Sequence, residues 1–212
     1  MTVAYVIYDL NSQELVDMLR TATVRTFPRN TVVINEGDDT DAVFFILSGK
    51  VKVFLANEDG REVDIGFLSA GEYFGEMALE PGYRSASVLT METCRLAKVR
   101  IEDFRLFLRD HPDFASLLIT RLIRRARAIT KNLKNLALLD VYGRLSQLLQ
   151  ELARAEGDHW IIDEPLTQQQ FAHRIGCSRE MVSRIFKDLV SGGYLSISRR
   201  NIEIRRRLPR SW

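Results

Sequence analysis

The chain has 212 residues, of which 46% are hydrophobic, 27% charged and 9% aromatic, a composition that fits one large or two small globular domains. Its apolar runs fall far short of the ~18 residues a membrane span needs. Two cysteines, Cys94 and Cys177, supply neither a disulfide framework nor a closed zinc site. The first ten residues lack a basic leader and reach an acid at Asp9, so a reduced, cytoplasmic protein with no secretory signal and no membrane partner is expected. The formal net charge of +2 hides a split, because residues 1–110 carry 12 Lys+Arg against 18 Asp+Glu while residues 111–212 carry 18 against 10. Such asymmetry suggests two modules with different partners. The basic half is either a polyanion binder or merely a solubilising surface.

Residues 11–26 read as a short amphipathic helix, with Leu15, Met18 and Leu19 on one side. From residue 31 to residue 99 the pattern changes to short runs rich in Val, Ile and Phe. Strands are expected at residues 31–34, 42–47, 51–55, 63–67, 85–90 and 94–99. Turn residues separate them, including Asp59-Gly60, a hairpin signal. Many short strands at this spacing predict an all-β sandwich or barrel.

Residues 101–109 read as a helix, and Pro112 interrupts it. A stretch free of Gly and Pro then runs over residues 113–139, roughly 40 Å long if helical. Ile119, Leu122, Ala126, Ile129, Leu133 and Leu136 recur at alternating spacings of 3 and 4, a heptad register that suits a dimer seam. A surface helix packed on its own domain would show the same stripe. Arg121, Arg124, Arg125, Arg127, Lys131 and Lys134 lie off it. A boundary is expected at residues 140–143, then a helix over 142–154, a loop over 155–158 and a strand over 160–162.

Residues 166–190 carry a helix-turn-helix pattern. Thr167 can cap a short helix, Ala172 suits a close helix crossing, Gly176 permits a left-handed turn, and Ser178 caps the next helix. Val182, Ile185, Phe186 and Leu189 give that second helix one apolar face, as a DNA-reading helix requires. Its other side offers Arg179, Glu180 and Arg184, which can bond guanine and cytosine edges. Two further strands, at residues 194–198 and 201–204, make a basic wing around Arg199 and Arg200. With Thr167, Gln168, Ser178, Ser183 and Lys187 these complete the candidate DNA-binding set.

In the β-rich half, residues 74–79 (Phe-Gly-Glu-Met-Ala-Leu) read as a tight turn into a short helical turn. Its backbone N–H groups can cradle an anion, and Arg84 supplies a cationic fork. Glu76 suits a sugar hydroxyl better than a phosphate. An internal salt bridge between Glu76 and Arg84 is the competing reading.

The cassette at residues 74–88, the heptad helix, residues 135–144 (Asn-Leu-Ala-Leu-Leu-Asp-Val-Tyr-Gly-Arg) and residues 177–185 (Cys-Ser-Arg-Glu-Met-Val-Ser-Arg-Ile) together resemble the Crp/Fnr family, and most closely its cyclic-AMP-responsive branch. The likeness covers about residues 25–204. It implies an α+β chain: a cyclic-nucleotide-binding double-stranded β-helix, or jelly roll, over residues 1–112, a long dimerisation helix over 113–139, and a winged helix-turn-helix over 140–212. It further implies that Gly75 and Glu76 hold a ribose, and that Arg84 and Ser85 hold a cyclic phosphate. Gly71, Glu72 and the backbone of Met77 and Ala78 belong to the same site. An adenine-contacting hydroxyl pair in that branch corresponds to Ile129 and Thr130, of which only Thr130 keeps the hydroxyl.

The function so implied is a homodimeric DNA-binding transcription regulator, not an enzyme. It carries no cofactor or metal, its effector is cyclic AMP, and RNA polymerase is a further partner. The alternatives are a regulator answering cyclic di-GMP, one acting without nucleotide, or a nucleotide sensor acting on a protein partner. Two cysteines cannot hold an iron–sulfur cluster. His111, His159 and His173 all lie outside residues 1–110, which argues against haem sensing and cupin-type metal catalysis there.

Overall fold

The computed structural model describes residues 16, 18–20, 22–39, 41–157, 159–163, 166–198 and 201–209. Two compact units emerge: Met1–Asn57 with Asp64–Arg125, and Glu58–Val63 with Ala126–Trp212.

The first unit is built on strands β1 (Thr23–Phe27), β2 (Val32–Ile34), β3 (Ala42–Ser48), β4 (Lys50–Ala56), β5 (Glu62–Ser69), β6 (Tyr73–Phe74), β7 (Ser87–Thr90) and β8 (Cys94–Arg100). They form two four-stranded sheets, ordered β1-β8-β3-β6 and β2-β7-β4-β5. One core lies between the sheets, where Ala42, Phe44 and Ile46 of β3 meet Val51, Val88 and Leu96. The intervening Val43 and Phe45 join a second core with Phe104, Phe107, Phe114 and Leu118. These four belong to helices α1 (Ile101–Asp110) and α2 (Pro112–Leu138). Because β3 is covered on both faces, its sequence is an unbroken apolar run rather than an alternation. Gly49, at φ +96, closes the β3–β4 turn against β8; a Cβ there would lie 2.5 Å from Cys94 Sγ.

Pro112 opens α2, where its missing N–H is no loss. The helix buries Phe114 and Leu118, but its later apolar residues Ile119, Leu122, Ile129, Leu133 and Leu136 are exposed.

The second unit contains α3 (Val141–Leu152), α4 (Gln168–Ile175), α5 (Arg179–Ser191) and a sheet ordered β11-β12-β10-β9. Its strands are β9 (Arg154–Glu156), β10 (His159–Ile162), β11 (Leu195–Ile197) and β12 (Ile202–Ile204). Leu145, Leu149, Phe171, Ala172, Val182 and Leu189 are fully buried in its core. Phe171 and Phe186 meet edge to face, with ring centres 5.2 Å apart. Asp140 caps α3 by accepting from the Gly143 N–H at 2.7 Å. Gly143 therefore lies in the first turn of α3, and the break between α2 and α3 falls at residues 139–140.

Two expectations are corrected. The helix expected through residue 26 gives way to β1, which pairs with β8 from Thr23↔Lys98 to Phe27↔Cys94. Residues 16, 18 and 19 are helical, with Met18 buried, and Leu15 lies outside the described residues. Residues 155 and 156 of the expected loop belong instead to β9, which pairs with β10, while Gly157 is a turn residue with φ +62 and residue 158 lies outside the described residues. In both places β pairing with a partner strand overrides the local pattern.

Candidate functional site

The cassette starts where β6 runs into Gly75. That residue is left-handed (φ 83, ψ 9) and leads into a single 3-10 turn, Glu76–Leu79. The Ala78 N–H returns to the Gly75 carbonyl at 3.1 Å. Glycine is needed here twice over: a side chain would strain the backbone, and its Cβ would lie 2.7 Å from Arg84 Nη1 and 3.1 Å from the Ala42 carbonyl.

Arg84 is buried. Its Nη2 donates to the Ala42 carbonyl at 2.9 Å and its Nη1 to the Gly75 carbonyl at 3.2 Å. Asp41 Oδ1 stands 3.5 Å from Nη2, and the same carboxylate bonds Lys98 at 2.6 Å. Burial pulls the Arg84 pKa below the ordinary guanidinium value, while Asp41, Asp38 and Glu76 oppose that shift. The backbone around Arg84 is fixed too, because its N–H bonds Asp38 and its carbonyl accepts from Gly37. Ser85 beside it is exposed, and its hydroxyl donates to Met77 Sδ at 3.0 Å.

Glu76 is buried and does not pair with Arg84 as the competing reading had it. Its carboxylate bonds Arg125 of α2, whose Nη2 also donates to the Tyr73 carbonyl at 3.1 Å. One turn earlier, Arg121 lies over the Tyr73 ring, 4.9 Å from its centre. Burial pushes the Tyr73 phenol up to about 12. Glu72 faces inward, accepting from the Ser69 N–H at 2.8 Å. Gly71, at φ 86, bonds the Ile46 carbonyl. Thr130 is exposed on α2 and donates to the Ala126 carbonyl at 3.0 Å. Sequence reasoning missed Asp41, Tyr73, Arg121 and Arg125. The i,i+4 spacing of the two arginines was the available signal.

The helix-turn-helix pattern lies in the second unit. Thr167 and Gln170 form a reciprocal capping box at the start of α4, Gly176 ends it in the left-handed region (φ 65, ψ 53), and Ser178 caps α5. With Val182, Ile185, Phe186 and Leu189 buried, the opposite face is left to polar residues. Gln168, Arg179, Glu180, Ser183, Arg184 and Lys187 line one open groove of about 480 Å³. Arg179, Ser183 and Lys187 fall at i, i+4 and i+8, so they share a stripe. The wing strands pair in the register Leu195↔Ile204 to Ile197↔Ile202. Arg199 and Arg200 lie outside the described residues.

Among the described residues, no helix is long and apolar enough to cross a membrane. Residues 24–111 match the cyclic nucleotide-binding domain, and residues 143–208 match the Crp-like helix-turn-helix domain. A sensor roll joined to a DNA-reading winged helix makes this a ligand-binding transcription regulator. More particularly, the chain belongs to the Crp/Fnr family.

It is 33% identical over 168 residues to the cAMP-activated global transcriptional regulator CRP of Haemophilus influenzae, covering 77% of this chain and 75% of that protein. It is 32% identical over 183 residues to the CRP-like cAMP-activated global transcriptional regulator of Mycobacterium tuberculosis, covering 84% and 82%. The structure of the c-di-GMP responsive global regulator CLP of Xanthomonas campestris is similar, with a TM-score of 0.78 and 26% identity over 90% of this chain and 97% of that one. These relatives are transcription regulators, not enzymes.

Proposed function

We propose that the protein is a homodimeric, cytoplasmic transcription regulator whose grip on pseudo-palindromic DNA is set by a cyclic nucleotide, first of all cyclic AMP. The observation that carries the nucleotide reading is the cradle around Arg84: a buried guanidinium beneath a left-handed glycine, next to an exposed serine hydroxyl and a buried glutamate. In this reading Arg84 and Ser85 meet the cyclic phosphate. Gly75 and Glu76 hold the ribose, with the Met77 and Ala78 backbone beside them. Gly71 and Glu72 brace the turn, and Thr130 offers its hydroxyl to the base.

Residues 1–112 serve as sensor, 113–139 as dimerisation helix and 140–212 as DNA-binding domain. The exposed stripe of α2 from Ile119 to Leu136 supports the dimer, since an unpaired apolar seam gains by meeting its copy. Ligand bound beside that helix shifts the regulator between states by its differential affinity for them. Arg179, Glu180 and Arg184 read bases of TGTGA-like half-sites about one turn apart. Thr167, Gln168, Ser178, Ser183, Lys187, Arg199 and Arg200 complete the DNA contact. RNA polymerase is the further partner.

Cyclic di-GMP is the second reading. It is favoured by Ile129, which puts an apolar side chain where the cyclic-AMP-responsive branch has a hydroxyl, and by the likeness to a c-di-GMP responsive regulator. Calorimetric titration of both nucleotides, with and without operator DNA, against wild type and Arg84→Ala decides between them. Heat with one nucleotide, lost in the variant, is expected; silence with both rejects a nucleotide effector.

A further inference from the structure

We propose that Met77 is an oxidation site that governs Ser85, so that a hydroperoxide weakens nucleotide binding by turning the serine hydroxyl away from its anion. This rests on the reading of Ser85 as a phosphate contact.

Met77 projects from the 3-10 turn with 59% of its surface exposed. The other described methionines are better protected, since Met18 is buried and Met91 and Met181 are half-buried. Access to the thioether governs its oxidation, which puts Met77 ahead of these three. Its sulfur also has a defined neighbour, because Ser85 Oγ stands 3.0 Å from Sδ and donates to it. A thioether is a weak acceptor, so Ser85 readily leaves it for a phosphate oxygen.

Oxidation reverses that preference. A sulfur lone pair attacks one oxygen of the hydroperoxide. The S–O bond forms as the O–O bond breaks, and the departing oxygen takes up a proton to leave as water or an alcohol. Sulfur loses two electrons and the peroxide gains them. The sulfoxide is polar, and its oxygen is a stronger acceptor held next to the same hydroxyl. Ser85 must then give up a good hydrogen bond before it meets a ligand. The worth of one neutral hydrogen bond corresponds to about a three- to tenfold loss of affinity.

The test treats the full-length protein with dilute hydrogen peroxide, maps each methionine peptide by mass, and titrates cyclic AMP and cyclic di-GMP calorimetrically. The Met77 peptide should gain one oxygen before those of Met18, Met91 and Met181. Affinity should fall three- to tenfold and return after treatment with methionine sulfoxide reductase. The Met77→Leu variant, whatever its starting affinity, should keep it through peroxide. Preferential oxidation elsewhere, equal affinity before and after, or an equal loss in Met77→Leu would each overturn the inference while leaving the nucleotide reading intact. No heat with untreated protein instead removes that reading, and this one with it.

Discussion

At the scale of single residues, the cradle depends on Gly75 having no side chain. Gly75→Ala forces a left-handed alanine and pushes its Cβ into the Arg84 guanidinium. A destabilisation of about 1–3 kcal/mol by urea unfolding is expected, with a larger loss in nucleotide titration than stability alone explains. Tyr73 gives a pH signature. Its folded pKa is raised by burial to about 12 from an ordinary 10.0. The neutral phenol is therefore favoured by the fold: its contribution is complete below pH 10 and is lost as pH climbs from 10 towards 12. Tyr73→Phe should therefore flatten the alkaline limb of the stability curve. The motif residues Arg84 and Glu76 were legible because their spacing is local. Their partners were not: Ala42 lies 42 residues from Arg84, and Arg125 lies 49 from Glu76. No periodicity reports contacts at that range.

At the scale of elements, most helices and strands were legible, down to the three-residue β2, β11 and β12, and the exceptions were β1, β6 and β9. The caps of α4 and α5 are written within four residues of the helix starts, as Thr167 with Gln170 and as Ser178, so a reader of sequence can find them. Strand β1 takes its stability from β8, whose residues lie some seventy positions onward, and β6 is only two residues long. The apolar stripe of α2 was equally plain, but a stripe does not name its partner. If it is a dimer seam, Leu133→Arg places a charge on a surface that must be dry. The variant should sediment as a monomer at a concentration where wild type is a dimer. An unchanged mass assigns the seam elsewhere.

For the whole molecule, the near-neutral sum of charges conceals an acidic half and a basic half. Operator binding should fall steeply with salt, by orders of magnitude over the range in which several phosphate contacts release counterions. Nucleotide titration should move far less. Arg179→Ala tests readout within that field: a loss of about 1–3 kcal/mol on operator DNA, with little loss on random DNA, marks a base contact. Equal losses mark a phosphate contact. The setting of Arg84 bears on how any anion is captured. Two carbonyls and a carboxylate of its own fold hold its guanidinium, so the rotamer entropy of this long side chain, about 1.5–2 kcal/mol, is lost on folding. Association need not freeze it again. If Arg84 meets the phosphate as proposed, an anion should bind it with a smaller entropic penalty than a surface arginine would incur.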